Sequence, residues 1–212
     1  MQSTTRKPQQ ARSAESYQKM LDAAEDVLSD KSFDDATINE IVMRAGLTIG
    51  AFYARFHDKD SLLRELEARM NAEFVMLVDE SLSPERWAGL TLEETMNLHH
   101  LALVKVYQRR RPIARALVLR SHTDPSLKSR LDKLNQANLP RVARHILQRT
   151  RIQHPHPERA VRFALLSVRS ICREVVLFRE GWPGSKRPSA KEIADDLTRL
   201  FLGYLGVSAK AR

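Results

Sequence analysis

From Tyr17 to Leu28 the apolar residues Tyr17, Met20, Leu21, Ala24, Val27 and Leu28 recur at steps of three and four. That spacing lays one hydrophobic stripe along a helix, predicted from about Ala14 to Ser29. After the polar loop DKSFDDA, Thr37 and Glu40 stand at the spacing of a capping box, in which each side chain satisfies an amide left open at a helix start. A second helix therefore runs to about Ala45, and Gly46 ends it. Leu47 and Thr48 complete a short turn, Thr48 caps a third helix from Ile49 to Phe56, and Asp58 caps a long fourth from Lys59 to about Leu82. In the fourth, Leu62, Leu63, Leu66, Met70, Phe74 and Leu77 keep helical spacing. Beyond Pro84 the pattern predicts longer helices at Thr91–Arg110, Pro112–His122, Ser126–Thr150 with a kink or break at Pro140, Pro157–Glu180 and Ser189–Gly206. Only seven glycines occur, and almost nothing alternates with the period of two that a strand needs. The fold class is all-α.

Hydrophobic residues at 42% and charged residues at 29% of 212 are the proportions of a folded chain with a sizeable core. No apolar run approaches the roughly 20 residues that span a bilayer, and MQSTTRKPQQ lacks the apolar centre of a signal peptide. The single cysteine, Cys172, has no partner for an internal disulfide, so a cytoplasmic setting is expected. The formal charge of +9 suggests a polyanionic partner, but its placement changes that reading. Residues 1–60 hold 8 Lys+Arg against 10 Asp+Glu, whereas Lys105–Arg187 hold 20 bases against 5 acids.

Enzyme chemistry has no motif here: there is no glycine-rich phosphate loop, no HExxH and no nucleophile spaced with a base. A metal site is not expected either. His99 and His100 are adjacent and diverge on a helix, while His154 and His156 sit in a loop without carboxylate or thiolate neighbours.

The stretch LTIGAFYARFHDKD carries the distinctive chemistry. Phe52 and Phe56, four apart, fall on one face and with Leu47 close a small core. The other face shows Thr48, Ile49, Gly50, Ala51, Tyr53 and Arg55. Hydroxyls and a cation suit phosphates, and small apolar groups suit thymine methyls, so the face fits a recognition helix in a major groove. Gly50 costs about 1 kcal/mol of helix propensity and so needs a reason, and Tyr53 cannot share the buried face of Phe52.

The segment ATINEIVMRAGLTIGAFYARFHDKDSLL resembles the DNA-binding signature of the TetR family of bacterial transcriptional regulators, with Gly50, Tyr53, Phe56 and Lys59 in place. The resemblance covers about residues 14–63. It implies a flexible arm over 1–13, a helix-turn-helix domain over 14–60, and a helical ligand-binding and dimerisation domain over 61–212. Thr37, Thr48, Tyr53 and Lys59 would hold phosphates, while Ile49, Gly50, Ala51 and Arg55 would face bases or the groove wall. Ile49 departs from the lysine or polar residue common there, and Arg55 from the usual Tyr or His. Whether Arg55 reads guanine or holds a phosphate stays open at this level.

The resemblance further implies a homodimer formed through the last two long helices, with Phe163, Leu166, Ile171 and Val175 in one and Ile193, Leu197, Leu200, Phe201 and Tyr204 in the other. Monomer core is the competing reading of both stripes. A small-molecule effector, and no cofactor, is implied for a cavity in the larger domain, with Trp87, Met96, His100, Tyr107, Phe163, Cys172, Phe178 and Trp182 as candidate lining, each also consistent with plain core. The basic excess reads as solvated surface, as a receiver through Arg109, Arg110, Arg111 and Arg115 of an anionic effector such as an acyl-coenzyme A, or as a contact to flanking DNA or an acidic partner. Together these imply a ligand-responsive regulator, a repressor on a palindromic operator. The alternative is a ligand-binding or scaffold protein with a non-functional head.

Overall fold

The structure is a computed structural model that describes residues 9–178 and 187–207. All its regular structure among those residues is helical, in the order α1 (Gln9–Asp30), α2 (Ile38–Arg44), α3 (Ile49–Tyr53), α4 (Lys59–Leu82), α5 (Pro84–Trp87), α6 (Leu92–Arg109), α7 (Arg111–Ser121), α8 (Pro125–Arg149), α9 (Pro157–Leu177) and α10 (Ala190–Leu205).

Four boundaries differ from expectation. Helix α1 starts at Gln9, so residues 9–13 of the expected arm are helical, and residues 1–8 lie outside the described residues. Gln9, Gln10, Ala11 and Arg12 are all good helix formers, and nothing after Pro8 interrupts them. Helix α3 is only five residues long. The amides of Arg55 and Phe56 both bond the Phe52 carbonyl at 2.9 Å, a tightened turn that swings Phe56 into the core. Helix α8 continues past Pro140 without a break; buried Leu127 on one side and Val142, Ala143 and Ile146 on the other anchor both halves against one missing backbone bond. Helix α9 closes at Leu177, with Phe178 as its C-cap.

The head is built as the stripe predicts. Met20, Leu21, Ala24 and Val27 of α1 meet Ile41 and Val42 of α2, Phe52, Phe56, and Leu62 and Leu66 of α4, all buried. Phe56 stacks on Tyr17 at 5.7 Å and tilts on Phe52 at 5.2 Å. Burying a side chain of that size contributes about 2–3 kcal/mol, so the two phenylalanines fix the angle at which α3 leaves the head. Helix α4 belongs to both regions: its first turns close the head, and Met70, Phe74, Leu77 and Val78 enter the body core with α6, α8, α9 and α10.

Candidate nucleic-acid interface and effector cavity

Caps position the helix-turn-helix. Thr37 Oγ accepts from the Glu40 amide at 3.2 Å, and Glu40 returns a carboxylate oxygen to the Thr37 amide at 2.9 Å. Lys31 donates to the same carboxylate; that bond, with those from Thr37, holds the Glu40 carboxyl down at about 2. Thr48 Oγ accepts from the Ala51 amide at 3.1 Å and starts α3. Gly46, at φ 64°, makes the turn between them in the left-handed region that favours glycine.

On α3 the outward surface consists of Thr48, Ile49 at 47% exposure, Gly50, Tyr53 at 57% and Ala54. Ala51 is half-buried against the core. A Cβ built on Gly50 would meet only Thr48 Oγ, at 3.8 Å, so nothing inside the chain requires a glycine there.

Two expected DNA contacts are engaged elsewhere. Arg55 donates to the Ala51 carbonyl at 2.9 Å and reaches the Ser13 carbonyl and hydroxyl at 3.4–3.5 Å, which links α3 to α1. Lys59 donates to the carbonyls of Phe33, Asp34 and Ala36 at 2.7, 3.1 and 2.8 Å and lies 4.7 Å from the Phe33 ring centre. An ammonium has three donors. All three hold the α1–α2 loop, which makes Lys59 a structural tether. Asn39 and Met43, four apart on α2 and both exposed, were not among the expected contacts. With Ile41 and Val42 turned inward, the helical period already places them outward.

The body's arginines answer the puzzle of the basic excess. Arg110 donates to Glu25 of α1 at 2.7 Å and to Glu73 of α4 at 2.7 Å; Arg109 shares Glu73, and Arg69 shares Glu25. Hydrogen bonds and charge from Arg109 and Arg110 outweigh burial and lower the Glu73 carboxyl below its ordinary 4.5. Arg120 pairs with Asp34 at 3.0 Å and Asp60 at 3.4 Å. Arg111 donates to the Leu177 carbonyl at 3.3 Å, and Arg115 is exposed on α7. At the junction Arg110 and Arg120 of the body thus pair with Glu25, Asp34 and Asp60 of the head, and Arg109, 57% exposed, pairs with Glu73 inside the body.

Of the expected lining residues, His100 borders a small cavity of about 50 Å³ shared with Phe74, Leu103, Asn138, Val142 and Arg169, and Phe163 lines an open groove of about 840 Å³ with Leu139, Pro140, Arg159 and Leu166. Trp87, Met96, Tyr107 and Cys172 are packed core, Phe163 faces outward, Phe178 caps α9, and Trp182 lies outside the described residues. Burial raises the Cys172 thiol to about 12, which leaves it unreactive. The His100 ring can be assigned a tautomer. Its Nδ1 lies 2.9 Å from Thr198 Oγ, whose own proton goes to the Ala194 carbonyl at 2.7 Å. Nδ1 therefore carries the hydrogen, and Nε2, buried and without a hydrogen-bond partner, is a bare acceptor. Burial, helped by His99, pushes the His100 pKa well below 6.5, so the ring is neutral. Asn138 and Arg169 could not be singled out from sequence, because α8 and α9 meet only in the folded body. Arg169 is held by the Asn135 carbonyl oxygen and the Tyr107 hydroxyl, and stacks over Phe74 at 4.9 Å.

The expected dimer stripes divide. Ile193, Leu197 and Phe201 are monomer core and Val175 is half-buried, whereas Phe163, Leu166, Ile171, Leu200 and Tyr204 are 40–55% exposed. Phe163 and Tyr204 touch across the two helices at 5.3 Å. Between Leu200 and Tyr204, a Cβ on Gly203 would meet nothing within 4 Å. Among the described residues no helix is long and apolar enough to cross a membrane, and no group of three His, Cys, Asp or Glu is placed to hold a metal ion.

Fold and site together define an all-helical protein that carries a helix-turn-helix head on a helical body. Residues 20–66 match the family described as bacterial regulatory proteins, tetR family. Two relatives from Bacillus subtilis (strain 168) are described as uncharacterized HTH-type transcriptional regulators. YdgC is 34% identical over 98 residues, 46% of this chain and 49% of the relative; YvdT is 45% identical over 47 residues, 22% and 24%. The chain therefore spans about half or less of the length of these relatives. Similar folds include a tetR-family bacterial regulatory protein from Rhodococcus RHA1 (TM-score 0.70, 16% identity, 90% of this chain and 96% of that one). The fatty acid degradation regulator FadR from Bacillus halodurans is another (TM-score 0.67, 15%, 94% and 97%). Residues 20–66 thus carry the N-terminal domain of that family, and the relatives that share it are described as transcriptional regulators.

Proposed function

We propose that this protein is a ligand-responsive transcriptional repressor that binds a palindromic operator as a homodimer. The observation that carries the reading is the outward face of α3, where no neighbour in the chain requires a glycine at Gly50 and the Tyr53 ring, edge-on to Phe52 at 5.4 Å, is still 57% exposed, leaving a surface open to close approach. One such helix contacts too few base pairs for useful specificity. The exposed face of α9 and α10 supports pairing of two chains, which would set two recognition helices toward successive major grooves.

The effector reading rests on His100. The space beside it, about 50 Å³, has room for about one water, so an effector would reach the Nε2 acceptor only in a conformer whose body is opened there. Such an effector releases the operator only if it prefers a conformer with a different head spacing. The route from cavity to head runs through α4, which lines the cavity at Phe74 and carries Glu73 in the network to Arg110 and Glu25.

The test is selection of bound fragments from genomic DNA by the purified protein, with Tyr53→Ala as control. Recovery of a palindrome by the wild type and its loss in the variant is the expected result. Recovery of no specific sequence at moderate salt, with or without candidate effectors, would favour a ligand-binding or scaffold role with a non-functional head.

A further inference from the structure

The chemistry that α3 can offer to a base pair is narrower than its sequence suggests. Arg55, the residue with the means to grip guanine, is tied to Ser13 and Ala51, and Lys59 is tied to three loop carbonyls. From Thr48 to Ala54 there remain two hydroxyls and no cation, amide or carboxylate. The Tyr53 hydroxyl stands at the end of a long exposed ring, and Thr48 already serves as a cap. Everything else on the outward face is apolar: Ile49, the bare backbone of Gly50, and Ala54.

In a major groove the four base pairs differ by donors, acceptors and one apolar feature, the C5 methyl of thymine. A surface without paired donors and acceptors cannot make the bidentate contacts that distinguish guanine or adenine, but it can pack on a methyl. Gly50 adds room for that methyl, since a Cβ there would stand out from the helix with open space around it. We infer that α3 reads its operator through thymine methyl groups, with Ile49 and the Gly50 backbone as the reading surface and Tyr53 as a phosphate anchor. The bases under α3 are accordingly thymines of A·T pairs, and hydrogen-bonded readout falls outside this helix. The inference rests on the DNA-binding reading above and specifies what that site recognises.

The experiment uses the full-length protein and duplexes selected from a random library. The best duplex is resynthesised with deoxyuridine for thymidine across both half-sites, which removes only the methyls, and separately with 7-deazaguanine, which removes the N7 acceptor. Affinities are measured by fluorescence anisotropy at fixed salt for wild type and Ile49→Ala. Each methyl packed on α3 is worth about 4-fold in affinity, so the uracil duplex should bind at least about 10-fold more weakly, and the deazaguanine duplex within about 2-fold of the parent. Ile49→Ala should weaken binding to the thymine duplex but cause little further loss on uracil. Equal binding of thymine and uracil duplexes, or an Ile49→Ala loss as large on uracil as on thymine, would overturn the inference and leave DNA binding standing. Selection of no duplex at all would overturn the DNA-binding reading and this inference together.

Discussion

Two surfaces of this molecule expose apolar groups beside a helical glycine, one on the head and one on the body. On α3 they are Ile49, Gly50 and Tyr53; on α9 and α10 they are Phe163, Leu166, Ile171, Leu200, Gly203 and Tyr204. In both, a glycine that costs about 1 kcal/mol relative to alanine in a helix is demanded by no neighbour in the chain. The difference lies in what frames it. The head surface is a short capped helix edged with hydroxyls, suited to a groove with polar walls. The body surface spreads over two long helices and pairs Phe163 with Tyr204, suited to another apolar face. A helical glycine without an internal reason is thus informative, and its surroundings say what approaches it.

The largest effect expected from breaking this comparison comes from the body. Phe163→Glu with Leu200→Glu should convert a dimer into monomers in analytical ultracentrifugation and cost at least about 100-fold in operator affinity, because the second half-site is lost. Next is Tyr53→Ala, which should weaken operator binding by about 10-fold or more, with an unchanged melting temperature because the ring is exposed. Lys59→Met, by contrast, should act on the fold: three carbonyls lose their donor, and urea denaturation should show a loss of about 2–3 kcal/mol.

Arg110→Ala should cost about 1–2 kcal/mol, between the values for surface and buried pairs, since Glu25 and Glu73 each lose one arginine and keep Arg69 and Arg109. It should also change the acid limb of stability. The Glu73 carboxyl is lowered from 4.5 in the folded protein, so its contribution is complete above that pH and is lost as pH falls through the lower folded value. The variant should show a shallower decline below about pH 4.5 in urea titrations. The smallest effect is at Gly203→Ala, where stability of the monomer should rise by about 0.5–1 kcal/mol while dimer affinity falls.

Much of this was legible before any coordinates. The stripe in α1, the caps at Thr37, Thr48 and Asp58, and the inward pair Phe52 and Phe56 are local signals, each set by residues within four positions of one another. What sequence could not give were long-range partners. The family resemblance implies DNA contacts for Arg55 and Lys59; their engagement by Ser13 and by the Phe33–Ala36 carbonyls depends on how α1 and α4 meet. Solvated surface, an anion receiver and a DNA or partner contact are all open for Arg109 and Arg110 in the sequence, and Glu25, 85 positions from Arg110, is a partner that no local pattern reveals. Helical period alone also does not divide the last two helices, since core and exposed apolar face occupy adjoining stripes. Only burial separates Leu197 and Phe201 from Leu200 and Tyr204.

The most direct test of the central claim, that the α3 glycine is kept for a surface outside the chain, is to measure Gly50→Ala twice. Urea denaturation should show the variant more stable, by about 0.5–1 kcal/mol, because alanine is the better helix former and a Cβ fits without collision. Fluorescence anisotropy on the selected operator should show affinity reduced by about 10-fold or more. A variant that is less stable, or one that binds the operator as well as the wild type, would contradict the account.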